Sequence, residues 1–235
     1  MIRHFLTSST FLSLILGASI SAASPENQVA GRQGMFDTIE ISSTNLAALP
    51  QWLRVMGSFG KTAKAASLCD SDIQKCKSQQ MTLWRAKIQE LELSGTLTKI
   101  REINRFINKW RTSPDLDTYK KKDHWATPLE FITNGGDSED FAIMKYISLK
   151  ELGISPKKMR IVVTNDVLRG VTHAFLSVQA NAKRFVLDSQ NDTVLQEDLV
   201  TYYIPFYSVN ETTRWAHVPK QTASSETAAG IEKND

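Results

Sequence analysis

Gly135-Gly136-Asp137-Ser138-Glu139-Asp140-Phe141-Ala142 places two glycines, three carboxylates and a hydroxyl directly ahead of an apolar run. The glycines allow a sharp turn, and acids suit the positive end of a helix dipole. The pattern predicts a helix from about Asp137 to Leu152, with Phe141, Met144, Ile147 and Leu152 on one face and Gly153 as its stop. Upstream, apolar residues recur at helical spacing over Leu46 to Val55, Met81 to Leu93 and Thr96 to Trp110, with a short helix at Pro128 to Thr133. Trp52, Trp84 and Trp110 fall on those apolar stripes and read as core. Residues 111–123 read as a charged connector. Downstream, Arg160–Val163, His173–Val178, Arg184–Asp188, Tyr202–Val209 and Trp215–Val218 read as strands, with Ala180-Asn181-Ala182-Lys183 as a hairpin connection. Helices first and an antiparallel sheet second make an α+β domain.

Within that order the chemistry-bearing residues converge. Ser138 sits in the first turn of the long helix, where free N–H groups and the dipole favour negative charge. His173 starts one strand and Asp188 ends the next, so a hairpin would bring them side by side. A nucleophile at a helix N-terminus with His and Asp on adjacent strands is the layout of papain-like and transglutaminase-like hydrolases. Composition is compatible with an enzyme. The 235 residues are 41% hydrophobic and 23% charged with a net charge of +3, which excludes collagen, a disordered tail protein and a polytopic membrane protein. The balanced charge also argues against a nucleic-acid partner, which would ask for a basic face.

The first residues read as an address. Met1-Ile2-Arg3-His4 is a short basic start, Phe5 to Ile20 is apolar or small, and Ser21-Ala22-Ala23 supplies the small residues a signal peptidase needs, with cleavage before Ser24. The alternative is an uncleaved anchor, but Thr7-Ser8-Ser9-Thr10 interrupts a stretch that is short for a membrane span, so stable insertion is not expected. Residues 24–34 read as a flexible segment, 35–218 as the folded domain and 219–235 as a disordered tail. Export gives Cys69 and Cys76 an oxidising compartment, and Asp70-Ser71-Asp72-Ile73-Gln74-Lys75 between them closes a small loop. A metal site would want more ligands nearby, and a redox pair the tighter C-x-x-C spacing. A structural disulfide leaves no cysteine for catalysis.

Trp125-Ala126-Thr127-Pro128-Leu129-Glu130-Phe131, the Gly-Asp-x-Glu-Asp-Phe-Ala motif at 136–142, His173-Ala174 and Val186-Leu187-Asp188 together resemble the bacterial transglutaminase-like cysteine peptidases. Leu49-Pro50-x-Trp52 and Ile103-Asn104-Arg105-Phe106 extend the resemblance over about Met35 to Trp215. Its best-known members are the LapG-type periplasmic proteases, which clip large surface adhesins and release biofilm cells. The resemblance implies a papain-like or transglutaminase-like core and a periplasmic location. It implies a large surface adhesin as protein substrate and an inner-membrane cyclic-di-GMP receptor as regulator. By the same resemblance position 138 is the nucleophile, His173 the base and Asp188 the residue orienting that base.

The family carries Cys where this chain carries Ser138. A thiol beside His at a helix N-terminus can rest as thiolate, whereas a hydroxyl must lose its proton during attack. Three readings follow: a weak serine hydrolase, a natural pseudo-peptidase that binds an adhesin segment or the regulator without cutting, and an engineered inactive variant. Amide transfer, as in true transglutaminases, is a further option that nothing in the residues favours. Asp137, Glu139 and Asp140 read either as acids complementing a helix dipole or as oxygen ligands for Ca²⁺. The resemblance implies calcium dependence through this stretch, with Asp137 and Glu139 the stronger ligand candidates and Asp140 the weaker. His124 reads as a surface or packing residue, Trp125 as core or cleft wall, and His217 as a histidine without a visible partner.

Overall fold

The computed structural model describes residues 34–220. The signal segment, His4, most of the segment expected to be flexible, and the chain after 220 lie outside the described residues. Seven helices precede and flank a seven-stranded sheet among the described residues. The helices are α1 (Pro50–Gly57), α2 (Phe59–Ser71), α3 (Gln79–Leu91), α4 (Thr96–Ile107), α5 (Asp115–Tyr119), α6 (Pro128–Asn134) and α7 (Ser138–Glu151). The strands are β1 (Thr38–Ser43), β2 (Met159–Asp166), β3 (Val171–Ala180), β4 (Lys183–Leu187), β5 (Leu195–Gln196), β6 (Tyr203–Val209) and β7 (Arg214–Pro219), in spatial order β1-β7-β6-β2-β3-β4-β5 and antiparallel throughout.

The α+β reading is therefore the architecture seen. Alternation along the central strands builds two cores. Ile161, Leu176 and Leu187 face the helices and join Trp52, Trp84, Ile103, Phe141 and their neighbours. Val162, Phe175 and Val186 face the other way and are covered by Met35, Val200 and Tyr203. Helix α7 differs from its expected one-sided pattern. Every residue from Asp140 to Leu149 is buried, because the sheet lies on one side and α4 and α6 pack on others. A helix buried all round needs no polar stripe.

Other departures have simple causes. The expected helix at 46–55 begins only at Pro50, since proline suits a first turn, and runs to Gly57. Helix α2, Phe-Gly-Lys-Thr-Ala-Lys-Ala-Ala-Ser-Leu-Cys-Asp-Ser, was not expected, because its buried face is made of small residues that give little periodic signal. Strand β1 was likewise not expected; it sits at the sheet edge with Ile39 and Ile41 exposed. The connector hides the short helix α5. Asn181 and Ala182 both take positive φ in the β3–β4 hairpin. Pro219 still pairs with Thr38, one residue beyond the boundary read at 218. The sulfurs of Cys69 and Cys76 are bonded to each other, tying the end of α2 to the turn that leads to α3. His217 is not partnerless: buried, it meets Thr38 Oγ1 at 3.0 Å and Ser208 Oγ at 2.9 Å. Trp52, Trp84 and Trp125 are buried and Trp110 half-buried. No helix among the described residues is long and apolar enough to cross a membrane.

Candidate active site

The glycine turn ahead of α7 is held by the connector. Gly136 N–H donates to Arg111 O at 3.3 Å, and Ser113 N–H donates back to Gly136 O at 2.9 Å. A Cβ on Gly136 would lie 2.2 Å from an Asp140 carboxylate oxygen, and Gly135, at φ +75°, would drive a side chain into Arg111 O. Only glycine lets these backbones approach so closely. The docking carries α5 to the start of α7 and sets buried Asp115 among the acids found there.

Five carboxylates thus crowd one place. Ligand oxygens of Asp115, Asp137 and Asp140 lie within 4.8 Å of one another, as do those of Asp115, Asp123 and Glu139. The three acids singled out from the sequence fall into different groupings, and Asp115 belongs to both. Asp140 is spoken for locally, accepting from Ala126 N–H at 2.5 Å and Asp137 N–H at 3.3 Å. Asp115 accepts from His124 N–H, yet Asp115 Oδ1 and Asp137 Oδ1 are buried with no hydrogen-bond partner. Burial, followed by the neighbouring Glu139 and Asp140 carboxylates, pushes Asp137 up to about 9. Burial and Glu139 push Asp140 up to about 8, and burial raises Asp115 as well. Desolvated, mutually repelling oxygens with unused lone pairs are the donor set of a hard divalent cation, so these residues fit Ca²⁺.

Ser138 opens α7 beside this cluster. Its hydroxyl donates to Glu139 Oε2 at 3.1 Å and accepts from Ala174 N–H at 3.1 Å. The second bond ties the helix start to β3, immediately after His173. His173 Nε2 meets Asp188 Oδ1 at 2.8 Å, both side chains buried, and His173 Nδ1 faces Gln190 Nε2 at 3.4 Å. Asp188 also accepts from the Tyr203 hydroxyl and from Gln190 N–H at 2.9 Å. Burial alone would raise Asp188. The hydrogen bond and charge of His173, with the Tyr203 and Gln190 donors, outweigh it and hold the carboxyl below its ordinary value. Tyr203, stacked on Phe175, is itself driven well above the usual phenol range by burial and by Asp188.

The turn after Asp188 is fastened from the helical side. Asn108 Nδ2 donates to Asp188 O at 3.0 Å and Asp192 Oδ1 at 3.0 Å, and Asn104 Nδ2 donates to Asn191 O at 2.8 Å. A cleft of about 630 Å³ is walled by Asp123, Asp137, Ser138, Glu139, His173 and Gln190, with Asp188 bonded to His173 and Asp140 to the Asp137 N–H outside its lining. The structure therefore gathers Ser138, His173, Asp188, Asp137, Glu139 and Asp140 around one cleft. Asp115, Asp123, Tyr203 and the two asparagines were not singled out for these places. The only sequence signal for the first two was acid density in a segment that reads as solvated.

A family model described as bacterial transglutaminase-like cysteine proteinase matches residues 61–223. Among solved structures, LapG of Legionella pneumophila is 28% identical with a TM-score of 0.56, covering 66% of this chain and 86% of its own. The calcium-bound form of that protein is 27% identical with a TM-score of 0.55 over 67% and 87% of the two chains. An EGTA-treated form gives 27% and 0.55 over 66% and 84%. No curated protein matches. A helix-borne Ser138 docked on the His173–Asp188 strands, the shared architecture and a model spanning most of the chain agree: this protein belongs to the bacterial transglutaminase-like cysteine proteinases.

Proposed function

We propose that this chain is a periplasmic, LapG-like member of its family that takes an extended segment of a large surface adhesin into the Ser138–His173 cleft, and that with serine at 138 it cleaves it slowly or not at all. The observation that carries this reading is the thiol inventory. The family is named for a cysteine, and the chain's two cysteines are bonded to each other, so no free thiol exists.

The geometry supports the rest. With Nε2 held by Asp188, the nitrogen of His173 that would receive a proton is Nδ1. Position 138 would attack the scissile carbonyl, His173 would pass the proton to the leaving amine, and water would then release the acyl group, with Asp188 fixing the imidazole and stabilising its charge. In the structure the Ser138 hydroxyl donates its hydrogen bond to Glu139 and not to His173. A neutral hydroxyl so bonded lacks the ready ionisation of a thiol in the same place. That observation favours, as second reading, a pseudo-peptidase that holds an adhesin segment or an inner-membrane cyclic-di-GMP receptor without cutting. Asp137, Glu139 and Asp115, with Asp140 and Asp123 nearby, would hold Ca²⁺ and relieve the repulsion beside the nucleophile.

The test is a cleavage and binding assay on an adhesin segment that a related active protease cuts, with this chain beside Ser138→Cys, each with and without Ca²⁺. The expected result is binding by both and ready cleavage by Ser138→Cys alone. Full cleavage by the Ser138 chain would make it a serine hydrolase, and absence of both binding and cleavage would remove the adhesin.

A further inference from the structure

Lys145 lies about two turns after Ser138 on the same face of α7. Its side chain is wholly buried, and its Nζ has no hydrogen-bond partner. A buried ammonium is kept only where something compensates it. The acids whose charge reaches it are Asp188 and Asp192, both on the turn that follows β4. Helix α4, packed against α7, and the residue that caps its end bind that turn through two amides, Asn104 and Asn108, whose Nδ2 groups donate to it. Their Oδ1 atoms are buried without partners, like the Lys145 Nζ. His173 is hydrogen-bonded to Asp188. The turn that carries the partner of His173 therefore combines two carboxylates, two half-used amides and the charge of a buried cation.

We infer that Lys145 is a positioning residue: its buried ammonium is the counter-charge of the Asp188–Asp192 turn and seats that turn, with the acceptor of His173, against α7. The inference rests on the reading of His173 and Asp188 as the reacting pair. Burial draws the Lys145 ammonium down to about 7 while the two acids oppose that fall. Removing the cation takes away a repulsion felt by the imidazolium, and that must raise the proton affinity of His173.

The experiment follows the imidazole resonances of the intact chain by NMR across pH, with His173 assigned through His173→Gln, in the parent, Lys145→Met and Lys145→Arg. Lys145→Met is expected to move the His173 midpoint upward by about half a pH unit or more, and Lys145→Arg to leave it near the parent value. A lysine that merely filled space would be replaced by methionine with no movement, and a folded Lys145→Met with an unmoved midpoint overturns the inference. Should Lys145→Met not fold, the Lys145 ε-nitrogen resonance in the parent and in Asp188→Asn decides. Its midpoint must fall when the Asp188 charge is removed, and an unchanged midpoint overturns the inference equally. Neither readout depends on turnover. A shifted midpoint with no cleavage by Ser138→Cys would leave this inference standing and defeat the peptidase reading alone.

Discussion

The two halves of the cleft are built on opposite principles. On the sheet side, Asp188 receives donors from His173, Tyr203 and Gln190, and its carboxyl is held below its ordinary value. On the helix side, Asp115 and Asp137 keep buried oxygens with no partner, and Asp137 and Asp140 are pushed up to about 9 and about 8. The Asp188 carboxylate is satisfied by protein donors. The helix side is an acid nest whose charges oppose one another until a cation or protons enter. The difference is what the proposed roles require: a sheet side that orients a proton acceptor and a helix side that binds a ligand.

If the sheet side is indeed poised for sulfur, Ser138→Cys should gain peptidase activity by about a hundredfold or more, because a low-pKa thiolate needs no concurrent deprotonation. His173→Ala in that background should abolish the gain, and steady-state cleavage of the adhesin segment measures both. A gain that survives His173→Ala would detach the chemistry from the His173–Asp188 half altogether.

The helix side can be broken by pH and by chelation. For Asp137 and Asp140 the folded-state pKa is raised, so the stability they contribute is present below about pH 4 and is lost as pH rises through about 8 to 9 in chelated protein. Calcium binds the ionised acids and should cancel that decline. At a hundredfold excess over its dissociation constant it adds about 2.7 kcal/mol, read as several degrees in melting temperature near pH 8. Asp137→Ala should abolish the calcium shift. Melting curves that superimpose with and without chelator would show that the nest holds protons, not a cation.

Two smaller effects sharpen the contrast. Opening the Cys69–Cys76 loop with Cys69→Ser should cost about 2 to 3 kcal/mol by loop-closure entropy while leaving any calcium shift intact, since the disulfide ties α2 and not the cleft. Denaturant titration of the two proteins checks the first part and melting with chelator the second. Tyr203→Phe in the Ser138→Cys background should lower cleavage by only about fivefold, because His173 and Gln190 still hold Asp188. A loss as large as that of His173→Ala would make the hydroxyl a principal part of the sheet side.

Much of this was legible in residue order. The Gly-Gly-Asp-Ser start of α7, the strands bearing His173 and Asp188, and the sequence of helices before sheet are local patterns, set by turn chemistry and by periods near 3.6 and 2. Helix α2 and strand β1 were not, because small residues and an exposed edge carry little periodic signal. That position 138 carries a hydroxyl is equally plain in the chain, and a hydroxyl and a thiol differ in chemistry wherever they stand.

What belonged to tertiary structure alone is everything that depends on residues distant in the chain meeting in space. Asp115 reads as a solvated acid until the 111–113 segment docks on Gly136 and buries it against Asp137. Tyr203 reads as a strand residue until its hydroxyl reaches Asp188, and Lys145 as one more helix residue until α7 is enclosed on every side. Sequence patterns report which face of an element is apolar, but the proton affinity of a buried group is set by its neighbours and its loss of water, and those exist only once the chain has folded.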